Sequence, residues 1–206
     1  SSVEALLDAL LDIAKLDAGA IKPEPRAIPL APLMQSLADA FGPLAERAGM
    51  SLRIVPVKAW VTTDPALLRR VLQNYLSNAI RYGRGNAKRP RVLMGCRRIG
   101  NEIRIEVRDN GPGIAQHQQA NIYQEFIRLK PASVGGERGL GLGLAIVDRV
   151  ARMLGHPRGL VSAPGKGAAF TIDLPLAIAD SAGARDAQAD LDVAGTLARA
   201  PFIRSE

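Results

Sequence analysis

Two glycine-rich segments, DNGPGI at 109–114 and GLGLGL at 139–144, constrain this 206-residue chain more than any other feature. The first follows a strand-like stretch, 103–108, in which apolar and polar residues alternate. The second opens a helix-like stretch, 144–154, with apolar residues at helical spacing. Glycine lets a backbone approach a ligand closely, and the first turn of a helix offers unpaired N–H groups to an anion. The pattern therefore predicts a phosphate-bearing ligand at a strand end and a helix start.

Three polar side chains narrow the choice of ligand. Asp109 stands at the predicted strand end, where its carboxylate can accept a hydrogen bond from an exocyclic amine. A ligand with an amine at one end and phosphates at the other would use both features, and ATP is such a ligand. A predicted amphipathic helix over 67–82 carries Asn74 and Asn78, which are four residues apart and share a face. Each asparagine alone fits an exposed polar position, but beside the glycine segments the pair favours a functional role.

Four motifs in this order resemble those of the catalytic, ATP-binding domain of sensor histidine kinases, within the ATPase group that includes gyrase B, Hsp90 and MutL. Residues 74–82, NYLSNAIRY, resemble the N box of that family, and 109–114 match its G1 box. Residues 122–126, IYQEF, resemble its F box, and 139–144 match its G2 box. A weaker similarity extends from the first residues to about Leu176.

The resemblance implies that these motifs bind ATP and Mg²⁺. It makes Asn78 the direct Mg²⁺ ligand and Asn74 its neighbour, and it counts both as catalytic with Arg81, whose guanidinium would reach a phosphate. Asp109 would accept a hydrogen bond from the adenine amine. The other nucleotide contacts that the resemblance implies are Tyr82, Gly111, Gly113, Ile114, Gly139, Leu140, Gly141, Leu142, Gly143 and Leu144.

The chain departs from the family pattern at two places. Ala168 stands where relatives often have Thr or Ser near the adenine, which would remove one hydrogen bond, worth about 1 kcal/mol. The family's phosphate-accepting histidine lies on the first helix of a dimerisation hairpin, and that helix is absent from these residues. The two histidines present, His117 and His156, stand at positions where we expect structural roles.

The apolar patterns predict an α/β (α+β) two-layer sandwich, with helices on one face of a mixed sheet, preceded by a coiled-coil-like helix. Residues 1–19 are expected to end the second hairpin helix, 20–31 to form a proline-marked linker, 32–176 the catalytic domain and 177–206 a linker or tail. Within the domain, 130–138 resembles a lid over the nucleotide. The predicted helices are 32–49, 67–82, 115–122 and 140–154, and the predicted strands are 51–57, 61–63, 92–98, 102–108, 160–162 and 169–174.

Composition argues against several other classes of protein. The formal net charge is +7, but the basic run between 84 and 98 contains no aromatic residues and no nucleic-acid motif, so we interpret it as a solvated strand face and loop rather than a nucleic-acid site. No apolar stretch reaches the ~20 residues that span a bilayer. A single cysteine, Cys96, is incompatible with an internal disulfide. We expect a cytoplasmic domain, anchored to a membrane only through segments upstream in a longer parent.

The main hypothesis is phosphate transfer from ATP to a histidine on the domain's own hairpin. Its partners would be a response regulator or fused receiver domain and a second copy of the chain in a homodimer. One alternative is an ATP-hydrolysing member of the same superfamily; gyrase and Hsp90 place Glu at the position of Asn74 to activate water, which an amide cannot do. Another alternative is a pseudokinase that signals through protein contacts, and a third is a nucleic-acid-binding protein.

Overall fold

The computed structural model describes residues 2–85, 87–127 and 141–177, except for the side chains of 2–6, 8, 9 and 12. The predicted lid, 130–138, and residues 178–206 of the predicted tail lie outside these ranges. No helix of the described residues is long and apolar enough to cross a lipid bilayer. In chain order the elements are α1 (Ser2–Asp17), β1 (Arg26–Pro29), α2 (Leu30–Arg47), β2 (Ser51–Ile54), β3 (Trp60–Thr63), α3 (Pro65–Tyr82), β4 (Arg91–Ile99), β5 (Glu102–Asp109), α4 (Gln116–Gln119), α5 (Gly143–Leu154), β6 (Arg158–Ser162) and β7 (Ala168–Pro175).

The main sheet has five strands in the order β2-β4-β5-β7-β6. Its β2–β4 pair is parallel and the other three pairs are antiparallel. Along β5, Ile103, Ile105 and Val107 are buried in the core, whereas Arg104 and Arg108 project from the other face. The core lies between this sheet and the helices, so the predicted two-layer sandwich with a mixed sheet is confirmed.

Helix α3 is the central element of the core, and its start follows from the sequence. The Asp64 carboxylate accepts hydrogen bonds from the N–H groups of Ala66 and Leu67, at 2.9 and 3.0 Å, and proline takes the first helical position. Tyr75 is fully buried, and its ring lies 5.3 Å from that of Phe170. The Tyr75 hydroxyl donates to a carbonyl of β7, so the polar end of the side chain is satisfied inside the core.

The chain before α3 differs from the predicted boundaries. The stretch 26–29, within the predicted linker, forms a strand that pairs antiparallel with β3. Helix α2 begins at Leu30, two residues before the predicted start at Pro32. Proline is tolerated there because the N–H groups of the first helical turn have no partner inside the helix. At the second glycine motif the helix begins at Gly143, three residues after the predicted start at Leu140, so Gly141 precedes the helix.

Burial of His156 makes the stability of the fold depend on pH. The ring Nε2 lies 2.9 Å from the Thr63 hydroxyl, and Nδ1 has no hydrogen-bond partner within the described residues. Burial lowers the pKa of His156, so the folded protein holds the ring neutral while the unfolded chain takes up a proton near the ordinary pKa of about 6.5. The contribution of this group to stability is therefore complete above about pH 6.5 and declines as the pH falls below it.

We predict that the free energy of unfolding falls as the pH drops below about 6.5, with His156 contributing at most about 1.4 kcal/mol per pH unit. His156→Gln should flatten this dependence because glutamine does not titrate, whereas His117→Gln, at an exposed position, should preserve it. Urea unfolding at several pH values measures the slope. An unchanged slope in His156→Gln would contradict the assignment.

Candidate functional site

Asp109 ends β5 with its carboxylate buried, 8% of the residue being exposed. Its Oδ1 accepts a hydrogen bond from the Gly111 N–H at 2.9 Å. Burial raises the pKa of Asp109, and hydrogen bonds from the backbone N–H groups of Gly111 and Ala168 act in the opposite direction. A carboxylate offers about four lone-pair positions, so one held in this way can still accept from a ligand amine.

The backbone passes so close to Asp109 that side chains do not fit beside it. A Cβ on Gly83 would lie 2.6 Å from the Cβ of Asp109, and a Cβ on Gly167 would lie 2.0 Å from its carbonyl oxygen. A Cβ on Gly111 would lie 2.5 Å from the carbonyl oxygen of Gly83. The end of α3, the end of β5 and the turn before β7 therefore meet at one point.

The carboxamide of Asn74 is oriented by its own helix. Its Nδ2 donates to the Arg70 carbonyl at 2.8 Å, and its Oδ1 faces the start of α5, where a Cβ on Gly143 would lie only 2.6 Å away. One turn further along α3, Asn78 is half-buried, and its side chain has no hydrogen-bond partner among the described residues.

The two asparagines fit a magnesium ion. Carboxamide oxygens are among the oxygen ligands that Mg²⁺ accepts, and this ion usually takes few protein ligands and keeps several waters. The described residues contain no group of three or more His, Cys, Asp or Glu side chains able to hold a metal ion. If phosphates bind here, Asn74 and Asn78 are the residues that we expect to hold Mg²⁺.

The N-terminus of α5 has no side-chain cap among the described residues. Leu142 stands at its N-cap position and makes no side-chain capping hydrogen bond, and the first turn carries no acidic residue. The first N–H groups of a helix have no partner inside the helix, and they favour negative charge. Leu142 itself is 1% exposed and belongs to the core, whereas Gly143 and Leu144, in the first turn of the helix, are half-buried.

Ser162 ties the first glycine motif to the turn before β7. Its hydroxyl accepts a hydrogen bond from the Ile114 N–H at 2.9 Å and donates to the Gly167 carbonyl at 2.7 Å. The Gln119 side chain donates to the carbonyls of Ile114 and Ser162, at 2.9 and 3.0 Å. Sequence analysis missed Ser162, because a single serine at a strand end belongs to no motif.

The structure places predicted site residues at two contacts of α3, one with the start of α5 and one with the end of β5. Asn74 faces Gly143, and Asp109 lies against the end of α3. Arg81 and Tyr82 lie on the last turn of α3 with exposed side chains. The predicted nucleotide contacts that lie outside the described residues are Gly139 and Leu140.

Comparison with known proteins points to one family. Residues 63–178 match the family model described as histidine kinase-, DNA gyrase B- and HSP90-like ATPase. The sensor histidine kinase CusS of Escherichia coli K12 is 32% identical over 167 residues, which are 81% of this chain and 34% of CusS. A probable sensor histidine kinase of Mycobacterium tuberculosis is 34% identical over 173 residues, 84% of this chain and 43% of the relative.

Among solved structures, full-length ShkA in complex with AMPPNP superimposes with a TM-score of 0.74 at 26% identity. The similarity covers 93% of this chain and 43% of ShkA. The chain therefore spans roughly a third to two fifths of the length of these relatives.

Two glycines in the turn before β7 have the same backbone conformation, but only one of them lacks room for a side chain. Gly165 and Gly167 have nearly equal φ values, 76° and 75°. A Cβ on Gly165 would meet nothing within 4 Å, whereas one on Gly167 would strike the backbone of Asp109. Gly165→Ala should therefore cost only the left-handed strain of about 1–2 kcal/mol.

We predict that Gly167→Ala costs at least about 3 kcal/mol, because the same strain is joined by displacement of the backbone at Asp109. Urea unfolding of the two variants measures the difference. Equal losses would show that the close approach at Gly167 relaxes without cost.

Proposed function

The chain belongs to the histidine kinase-, DNA gyrase B- and HSP90-like ATPase family, and on that premise we propose that it is the ATP-binding catalytic domain of a sensor histidine kinase. The domain binds ATP with Mg²⁺ and presents the γ-phosphate to a histidine on a hairpin helix that these residues do not include. The observation that carries the proposal is the pairing of Asn74 with the uncapped start of α5, which sets a neutral amide oxygen beside an anion-binding helix end.

The ligand would lie along the line from Asp109 to α5. Asp109 accepts from the adenine N6 amine, and the backbone N–H groups at the start of α5 receive the phosphates. Asn78 and Asn74 would hold the metal, and Arg81, on the last turn of α3, would reach a phosphate. When bound, Mg²⁺ neutralises phosphate charge; the protein itself contributes positioning and electrostatic stabilisation.

The proposed phosphate transfer is a displacement at the γ-phosphorus of ATP. An imidazole nitrogen of the acceptor histidine forms a bond to the γ-phosphorus, the bond from that phosphorus to the β–γ bridging oxygen breaks, and ADP leaves. The acceptor ring releases its proton to solvent. Asn74 has no basic atom with which to activate water, and its amide nitrogen is engaged with the Arg70 carbonyl, which favours transfer over hydrolysis.

Helix α1 carries the surface that we propose for contact with a second copy of the chain. Leu7, Leu10 and Leu11 are exposed, with 57%, 37% and 47% of their surface accessible, whereas Ile13 and Leu16 are buried in the core of the domain. Apolar side chains exposed along one helix favour a further helical partner. We propose that this part of α1 packs in a hairpin bundle of a homodimer, which acts in the cytoplasm and passes phosphate to a response regulator or fused receiver domain.

We predict that Asp109→Asn weakens ATP binding by roughly 1.5–3 kcal/mol, the range for a hydrogen bond to a charged group. The substitution replaces one acceptor oxygen with an amide donor that opposes the adenine amine. Asp39→Asn, at an exposed position of α2, is the matched control and should bind as the wild type does. Calorimetric titration measures both, and equal affinity of the wild type for ATP and GTP would contradict the adenine contact.

Transfer in trans tests the function itself. Wild-type protein, labelled ATP and Mg²⁺ should label a separately purified hairpin that carries an acceptor histidine, and the product should be acid-labile and base-stable. Asn78→Ala should abolish most of this labelling because the metal loses its protein oxygen, while Gln35→Ala, which removes an exposed carboxamide of α2, should not. Labelling of this chain without the hairpin, or phosphate release without an acceptor, would overturn the proposed division of roles.

A further inference from the structure

Arg149, in the middle of α5, holds two carboxylates at once. Its Nε donates to Asp17 Oδ1 at 2.7 Å, and one terminal nitrogen forms an ion pair with Glu125. The other terminal nitrogen lies 3.4 Å from the carbonyl oxygen of Ala145, one turn back on the same helix. Each nitrogen of the guanidinium therefore has a different partner.

The two carboxylates belong to different parts of the molecule. Asp17 is the last residue of α1, the helix whose nearby Ile13 and Leu16 are buried in the domain core. Glu125 lies in the chain after α4, outside any helix or strand. Arg149 is thus the side chain through which the end of α1 is tied to this loop.

The loop contacts the chain just before α5, at the candidate site. The residue after Glu125, Phe126, has a φ of 61° and donates its N–H to the carbonyl of Gly141 at 3.0 Å. Two residues further along, Gly143 packs against the oxygen of Asn74. A continuous series of contacts between described residues therefore runs from α1 through Arg149 to the N-terminus of α5.

We infer that Arg149 is a positioning residue that couples the position of α1 to nucleotide binding, an inference that rests on the proposed function. A guanidinium is planar and presents its donors at fixed angles, so Asp17 and Glu125 are held in a fixed relation to each other. If α1 shifts, Arg149 must either move with Asp17 and pull Glu125 with it, or lose its contact with one of the two carboxylates. Bound nucleotide, by linkage, must stabilise the docked position of α1 to the same extent that docking favours the nucleotide.

The expected effect is small, and this sets the design of the experiment. Asp17 and Glu125 are 54% and 36% exposed, and ion pairs in water contribute little each, so we expect a change of about two- to fivefold in nucleotide affinity. Arg149→Lys keeps the charge but loses the fork, since an ammonium cannot hold both carboxylates at fixed angles. Arg152→Lys is the matched control, because Arg152 lies one turn further on α5 and pairs with Asp148.

Two measurements are needed on the whole chain: the dissociation constant of AMPPNP with Mg²⁺, by calorimetry, and hydrogen exchange of the backbone amides of α1 with and without that nucleotide. In the wild type and in Arg152→Lys, nucleotide should slow exchange at residues 13–17. In Arg149→Lys it should not, and the affinity should fall about two- to fivefold. Asp17→Asn, an exposed change that leaves α5 intact, should reproduce both effects.

The outcomes separate this inference from the proposed function. Nucleotide binding with equal protection of α1 in every variant would overturn the coupling alone, even if Arg149→Lys lowered the melting temperature, because Arg149 would then only brace the fold. Loss of protection in Arg152→Lys as well would show that the effect is not specific to the Arg149 guanidinium, and it would also overturn the inference. A wild type that binds no nucleotide would overturn the proposed function, and this inference with it.

Discussion

The buried carboxylate of Asp109 organises the site, because it can stay buried only if backbone donors surround it. The N–H groups of Gly111 and Ala168 meet this need, and they fix the first glycine motif and the start of β7 to the end of β5. The same crowding admits only glycine at positions 83 and 167. The end of α3 is thereby held against β5, which places the face of α3 that carries Asn74 beside the start of α5.

Much of this arrangement could be predicted from the sequence because it depends on local patterns. The apolar periodicity of α3 and the Asp64-Pro65 start are local properties, and so is the alternation along β5. The pairing of β1 with β3 is different, since it joins residues 26–29 to 60–63 and a four-residue strand carries almost no signal of its own. The predicted ends of helices and strands were therefore less accurate than the predicted presence and type of these elements.

The predicted site was more complete for its motifs than for the side chains that support them. Asn74 and Asp109 stand in motifs with fixed spacing, whereas Ser162 and Arg149 act through partners that are distant in sequence. Arg149 lies 132 residues from Asp17, and no pattern in the sequence links them. Polar residues of this kind are recognised only once the fold has brought their partners into contact.

Two arginines of strand β5 have carboxylate partners on the outer face of the sheet. Arg104 forms two hydrogen bonds with Asp173 on the neighbouring strand, at 2.7 and 2.6 Å, and Arg108 pairs with Glu106. Asp173 is only 6% exposed, and the Arg104 guanidinium replaces the water that its carboxylate loses on burial. These arginines belong to the outer face of the sheet, where each is paired with a carboxylate.

Among the described residues, the N–H groups of the first helical turn have a side-chain partner in α3 but not in α5. In α3, the Asp64 carboxylate accepts hydrogen bonds from two of these N–H groups and from the Glu24 N–H at 3.0 Å. Burial raises the pKa of Asp64, but these backbone hydrogen bonds hold it below its usual value. A capped end of this kind has no place for another anion. In α5 the N-cap is Leu142, whose side chain lies in the core, so the corresponding donors remain for a ligand. Because a neutral amide, Asn74, faces that end, incoming phosphate meets helix donors without a competing carboxylate.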